Sequence, residues 1–289
     1  MHYHMPVYRP PSEADSLIFQ ATLGCSHNRC AFCTMYRSKK FRIRPWDDLK
    51  ADILEMATGY RNARRIFLAD GDALVLETEY MLRILHTLYE KFPSLERVSA
   101  YANPSNILEK SEEELQRINA AGLQLLYFGI ETGDDELLVK IRKGANSEEL
   151  IQSGTKAINA GFSLSATVIL GLAGKKGSPR HAVETARVCS VINPQYLSAL
   201  TLIFEGDGRY FFHCMEDEWE LMDKIEVLQE LRVMVDHFEL KDCIFRSNHA
   251  SNYLPIKATL NQEKSELLRE IEDALRHPEA LRPEFMRAL

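Results

Sequence analysis

The sequence predicts an α/β fold, a partial (β/α)6 TIM-like barrel with a mainly helical C-terminal extension. Three observations predict it. A short apolar strand pattern followed by a helical pattern recurs six times between residues 16 and 205. Rounds of roughly 30 residues with right-handed crossovers build a parallel sheet covered by helices. A complete barrel takes eight rounds and typically about 250 residues, so six rounds imply an open one. Beyond residue 205 the alternation stops and helical periodicity dominates. The expected organisation is an extended arm over 1–15, the barrel over 16–205 and an extension packed on it over 206–289.

The arm is rich in Pro and His. Residues 17–23 read as the first buried strand. A helix over 46–58 follows Pro45, with Asp47 and Asp48 favourably placed in its first turn. The next strand is 65–69 and the next helix 79–91. A strand over 97–101 precedes Ser111-Glu112-Glu113-Glu114, a capping-box signature. A strand over 124–130 leads to helices over 135–141 and 147–160. Strand 163–170, a helix starting at Pro179 and running to 192, and strand 196–204 complete the barrel. Gly122 and Gly161 stand where helices hand over to strands, as helix-ending glycines do. In the extension, helices are expected over 218–238 and 262–276, with a short strand over 243–246.

The 289 residues are 45% hydrophobic and 27% charged, the composition of a globular chain with a substantial core. A formal net charge of -7 argues against a long nucleic acid held on a broad basic surface. The N-terminus lacks the apolar core of a signal peptide. No apolar run approaches the roughly 18 residues of a membrane span. Because three of the six cysteines share one short segment, metal or catalytic use in a reducing cytoplasm is expected rather than disulfides.

That segment holds Cys25, Cys30 and Cys33 directly after the first strand. Loops after barrel strands open on the rim where such folds build active sites. Three thiolates leave one position of a tetrahedral metal site, or one iron of a [4Fe–4S] cube, without a protein ligand. The alternatives are three structural thiols, or half a zinc ribbon whose second pair lies elsewhere. Cys189, Cys214 and Cys243 are widely separated and read as buried thiols.

The chain resembles the radical S-adenosylmethionine superfamily, in particular its coproporphyrinogen-oxidase-like and methylthiotransferase-like branches. The spacing departs from the usual pattern, with four residues rather than three between Cys25 and Cys30. The resemblance implies that Cys25, Cys30 and Cys33 hold a [4Fe–4S] cluster whose remaining iron is chelated by S-adenosyl-L-methionine. It also implies that Phe32 meets the adenine and that Asp70-Gly71-Asp72 meets the methionine amine, although an acid-capped turn is the plainer reading of that tripeptide. Asn103 is expected near the methionine moiety. Glu131, in Tyr127-Phe128-Gly129-Ile130-Glu131, is expected on the ribose hydroxyls, since a carboxylate offers two acceptors to a diol. Arg142 is the candidate for the methionine carboxylate, its guanidinium giving a bidentate fork; otherwise it is a solvated helix end. Leu170 and Gly171 are expected against the adenine, with Leu202 and its neighbours Ile203 and Phe204 on the other side.

The implied reaction is reductive cleavage of S-adenosylmethionine and abstraction of a hydrogen from a small-molecule substrate, in an oxygen-sensitive enzyme fed by flavodoxin or ferredoxin. The basic run Arg37, Lys39, Lys40, Arg42 and Arg44 suits an acidic donor or an anionic substrate, or is a solvated face. Arg246, His249, Asn252 and Tyr253 are the substrate-side candidates, with a polar plug as the structural alternative. A non-catalytic iron–sulfur or zinc-binding module, or a radical enzyme acting on RNA or a peptide, remain the competing functions.

Overall fold

The computed structural model describes residues 3–204, 206–215 and 219–288. The expected domain boundary at Glu205, the expected helix start at Glu218, and the chain ends at 1–2 and 289 lie outside the described residues. Ten strands and ten α-helices are described. Eight strands form one open sheet in the order β1 (Leu17–Gln20), β4 (Arg65–Ala69), β5 (Arg97–Ala102), β6 (Leu123–Glu131), β7 (Ser163–Leu170), β8 (Tyr196–Thr201), β9 (Cys243–Arg246) and β10 (Lys257–Leu260). Every register recorded from β1 to β9 is parallel, and β10 runs antiparallel to β9. The α/β class and the unclosed sheet agree with the sequence. The expected short strand over 243–246 forms as β9 and joins the sheet, and the extension differs in adding β10 beside it.

The chain divides into two compact units, Met1–Asn28, Cys33–Phe128 and Thr155–Leu164 in the first, Arg29–Phe32, Gly129–Gly154 and Ser165–Leu289 in the second. In the first, the expected strand over 17–23 breaks after Gln20. Ala21 donates to Ala69 and accepts from Arg44 N–H, and β2 (Thr22–Leu23) turns away to pair with β3 (Arg42–Ile43). Helix α1 (Trp46–Gly59) follows Pro45 as expected. Helix α2 (Thr78–Lys91) buries Met81, Leu82, Ile84, Leu85 and Leu88 on one stripe, each worth about 1.5–3 kcal/mol of transfer free energy. Helix α3 (Pro104–Glu109) was not expected; it opens with Pro at its first position. The Ser111–Glu114 capping box is formed at the start of α4 (Glu112–Ala120). The arm is not wholly a surface segment, because Glu13 is fully buried. Its carboxylate accepts from Tyr127 Oη at 2.6 Å and Arg97 Nη2 at 2.7 Å.

Helices α5 (Asp135–Lys140) and α6 (Ser147–Asn159) match the expected pair. In the second unit, α7 (Gly174–Ile192) starts five residues before Pro179, which stands in its second turn. Lys175 N–H is met by Glu220 O, a tail contact that no local pattern signals. Strand β8 ends at Thr201 rather than 204, because Phe204 leaves to pack with Phe211, Phe212 and Trp219 at ring separations of 5.0, 5.1 and 5.8 Å. Phe211 and Phe212 belong to an unexpected helix α8 (Arg209–Met215). Helix α9 (Lys224–His237) begins later than predicted, behind an Asp223–Glu226 capping box. Trp219 and Glu220 are instead held by Leu172 O and Lys175 N–H. Helix α10 (Lys264–Arg276) closes the described secondary structure apart from short 3-10 turns.

Cys189 and Cys243 are fully buried and none of the six cysteines forms a disulfide. Burial pushes the Cys243 thiol up to about 12 and the Cys189 thiol higher still. Both are therefore expected to resist iodoacetamide at pH 8 in the native protein and to react only on unfolding, read by mass spectrometry of the labelled peptides.

Candidate functional site

In the first unit, the loop that carries the cysteines is locked to the end of β4. Gly24, at φ +77°, donates its N–H to Asp70 Oδ2 at 2.8 Å, and Gly71 N–H donates back to Gly24 O at 3.1 Å. A side chain on Gly71 would have its Cβ 2.9 Å from Cys25 Cβ and 2.8 Å from the Tyr36 ring, so only glycine permits this approach. Asp70 is fully buried and also accepts from Gln20 at 3.0 Å and from the Lys39 ammonium at 2.6 Å. Asp72 accepts from Ser26 and Asn106; burial pushes its carboxyl up, against hydrogen bonds from Ser26, Asn103 and Asn106. Both carboxylates, expected to face a ligand ammonium, thus have partners within the protein. Asn103 Nδ2 donates to Cys25 Sγ at 3.7 Å. Tyr36 is buried and its hydroxyl has no partner among the described residues. Burial, then the neighbouring Tyr101, Asp70, Cys33 and Cys25, push its phenol far up, so it keeps its proton.

The basic run is not one solvated face. Lys39 turns in to Asp70 and Arg44 to Asp52 at 2.7 Å, while Arg37, Lys40 and Arg42 stay exposed. A charge count along the sequence cannot separate these, because the inward pair is defined by carboxylates on other elements.

In the second unit, the short segment holding Cys30 and the half-buried Phe32 is tied by Ala31 N–H to Ile141 O at 2.7 Å and by Tyr210 Oη to Arg29 O at 3.4 Å. Helix α5 ends in a Schellman turn: Lys143 N–H reaches Leu138 O and Arg142 N–H reaches Val139 O. Arg142 takes the left-handed position at φ +54°, where glycine is usual, and its guanidinium meets Tyr210. The turn brings Lys143 back to Glu131, Nζ to Oε1 at 3.1 Å, with the side chains 8% and 11% exposed. Glu131 itself has φ +64°, rare for a residue with a side chain. Its carboxylate occupies the space over Gly129, 1.9 Å from where a Cβ would sit.

The sequence reading chose Arg142 from this basic run for the methionine carboxylate; the residue that pairs with Glu131 is its neighbour Lys143. No helical or strand periodicity links 131 to 143, so only the C-terminal turn of α5 could have signalled it. Lys143→Met is expected to cost about 2 kcal/mol, less than the roughly 3–5 of a fully buried pair. Urea unfolding should show the Glu131→Gln/Lys143→Met double variant recovering part of that loss.

Gly171, at φ +78°, donates its N–H to Glu230 Oε1 at 2.7 Å, and Leu202 N–H pairs with Leu170 O at 2.9 Å. Glu230 and His181 are buried on α9 and α7 and 3.7 Å apart. His181 Nε2 donates to Ile169 O at 3.1 Å and Nδ1 meets Thr132 Oγ1 at 2.7 Å. Neither residue was singled out by sequence reasoning, since a lone buried His and Glu on helices have no local signature.

Of the substrate-side candidates, Asn252 is buried and sews its loop to β8, donating to Ala199 O at 2.8 Å and accepting from Thr201 Oγ1 at 2.9 Å. Tyr253 donates to Glu284 at 2.7 Å under the Arg287 guanidinium, and burial with the Glu284 bond pushes its phenol up to about 12. These two follow the plug alternative. His249 Nδ1 accepts from Ser251 N–H at 3.1 Å, and burial with nearby Arg282 lowers its pKa. Arg246 is half-exposed on β9.

The family description "Radical SAM superfamily" matches residues 19–187, more than half of the chain. The chain belongs to the radical SAM superfamily. Within it, the chain is 25% identical over 149 residues to the heme chaperone HemW of Bacillus subtilis (strain 168), covering 51% of this chain and 39% of that one. Coproporphyrinogen III oxidase (HemN) from Escherichia coli aligns at TM-score 0.56 and 20% identity over 76% of this chain and 52% of its own. Methylornithine synthase (PylB) aligns at TM-score 0.53 and 15% identity over 78% of this chain and 64% of its own. At these identities the structural likeness shows the fold. The chain spans about two fifths of the curated relative and about half of the oxidase.

The local chemistry fits a thiolate-held cluster. Cys25, Cys30 and Cys33 are half-buried and outside any disulfide, with an amide donor on the Cys25 sulfur and an unpartnered phenol beside Gly71. Among the described residues no three His, Cys, Asp or Glu side chains converge as ligands of a single ion. A cube does not need that convergence, because each thiolate takes a different iron.

Proposed function

We propose that this protein is a radical S-adenosylmethionine enzyme that removes a hydrogen from a small-molecule substrate, with Cys25, Cys30 and Cys33 as the ligands of a [4Fe–4S] cluster. The observation that carries the reading is the interlock of Gly24, Asp70, Gly71 and Cys25, inside the region that matches the family. When bound, the cluster and S-adenosylmethionine supply reductive cleavage of a sulfonium and a carbon radical.

The chain's own residues bind and orient. Gly71 lets the backbone approach a ligand beside the cysteine loop. Glu131 accepts from vicinal hydroxyls, and Lys143, rather than Arg142, answers a carboxylate next to it. Glu230 holds Gly171 in the left-handed turn that ends β7, fixing backbone against which adenine can pack. Phe32, Leu170 and Leu202 offer apolar surface to the same ring. Exposed Arg37, Lys40 and Arg42 suit an acidic electron donor, flavodoxin or ferredoxin, in a reducing cytoplasm. Arg246 and His249 remain the substrate-side candidates.

The test is anaerobic reconstitution with iron and sulfide, followed by dithionite and S-adenosylmethionine. The expected result is a cluster-dependent absorbance and release of 5′-deoxyadenosine. Full iron loading with no 5′-deoxyadenosine would count against an enzyme. One equivalent of zinc without iron-dependent absorbance would favour a binding module. The likeness to a protein named a heme chaperone supports one second reading, stoichiometric uptake of heme without 5′-deoxyadenosine.

A further inference from the structure

Asn103 ends β5 and stands just before α3. Its amide nitrogen donates to Cys25 Sγ at 3.7 Å, and it stands beside the buried Asp72 carboxylate, whose charge it favours. A thiolate only accepts, so this contact needs the –NH2 end of the amide. Ser26 and Asn106 donate to the Asp72 carboxylate.

Tyr36 lies on the other side of the same loop. It is 3% exposed, yet its hydroxyl finds no partner among the described residues. A buried O–H without an acceptor is costly, and such groups in folded proteins point to something that meets them. Its ring and Cys25 Cβ flank the space of the missing Gly71 side chain, and the Lys39 ammonium is 5.6 Å from the ring centroid. Gly24, Gly71 and Asp70 lock the backbone of this corner beside the ring.

We propose that Asn103 and Tyr36 set the reduction potential of the cluster by donating to its sulfurs, Asn103 to the Cys25 thiolate and Tyr36 to a sulfur beside Cys25 and Cys33. This rests on the reading of the three cysteines as cluster ligands. One-electron reduction adds one negative charge to the cluster and its thiolates, the electron coming in the assay from dithionite. A donor aimed at sulfur stabilises the reduced form more than the oxidised one and raises the potential. Both residues are positioning residues for an electron, and neither needs to touch the substrate.

The test is a redox titration of anaerobically reconstituted protein without S-adenosylmethionine, with iron and sulfide counted and the reduced fraction read by electron paramagnetic resonance. Tyr36→Phe keeps the ring against Gly71, and Asn103→Leu keeps the approximate volume. Each is expected to lower the reduced-to-oxidised ratio about tenfold at a fixed ambient potential, a shift of about 59 mV to more negative values. The double variant should show the sum, and Asn103→Asp, which puts a charge where the donor stood, should shift at least as far as Asn103→Leu. Fully loaded variants that titrate with the wild type, or to more positive values, would overturn the inference. Should Asn103→Leu not fold, Tyr36→Phe decides alone. Wild-type protein that takes up no cluster removes the functional reading and this inference together. Wild type that loads a cluster and makes 5′-deoxyadenosine, while every variant keeps its potential, removes this inference only.

Discussion

Cys30→Ser is expected to leave a folded chain that holds no stable cluster and makes 5′-deoxyadenosine only at background. Cys30 is half-buried in a short segment whose recorded ties, Ala31 to Ile141 and Arg29 to Tyr210, are backbone hydrogen bonds or accept at a carbonyl. Replacing one sulfur by oxygen disturbs none of them. The expected loss is chemical: a hydroxyl stays protonated near neutrality and does not replace a soft thiolate on iron. Iron per chain, 420 nm absorbance and thermal unfolding of the apo protein separate this from misfolding. Cys189→Ser supplies the contrast. It buries a hydroxyl where a weak donor stood, costing about 1–3 kcal/mol, and should leave iron content unchanged. Full iron in Cys30→Ser, or iron lost from Cys189→Ser, would misassign the ligands.

Gly133→Ala is expected to be strongly destabilising. Its Cβ would lie 2.2 Å from Glu184 O and 2.9 Å from Thr185 Cα, backbone atoms of α7 that cannot rotate away. Gly133 N–H also donates to Thr185 Oγ1 at 2.9 Å, so moving the helix breaks that bond too. Overpacking usually costs about 1–3 kcal/mol, and a clash with helical backbone puts this case at about 3 kcal/mol or more. Gly59→Ala, with nothing within 4 Å of the new Cβ at the end of α1, should be neutral or slightly stabilising. Urea midpoints of the two variants test the difference. Since Gly133 lies two residues from Glu131, the loss should spread to ligand binding there.

The two substitutions mark different kinds of legibility. The cysteine segment, the capping box at Ser111 and the glycines ending helices are local signals, and the structure forms the capping box and puts Gly122 and Gly161 at positive φ. Strand β7 runs over 163–170 as its pattern says, because positions 163–168 alternate and an apolar pair, Ile169 and Leu170, ends the run. The short elements α3, α8 and β10 carried too little period to be seen, whereas α5 and β9, equally short, had clearer local patterns.

The sequence by itself determined the alternating α/β architecture, the cysteine triplet after the first strand pair and the glycines at strand ends. Periodicity, capping and turn chemistry act over a few residues, so they are written in the local order of the chain. Only the tertiary structure decided which charges face which. Lys39 meets Asp70, Lys143 rather than Arg142 meets Glu131, and Glu230 reaches Gly171 across 59 residues. Asn252 and Tyr253 became fasteners of the tail in the same way, through partners on β8 and at 284. Such pairings depend on where separate elements come to rest, and a buried polar atom takes whatever partner the packing brings within about 3 Å.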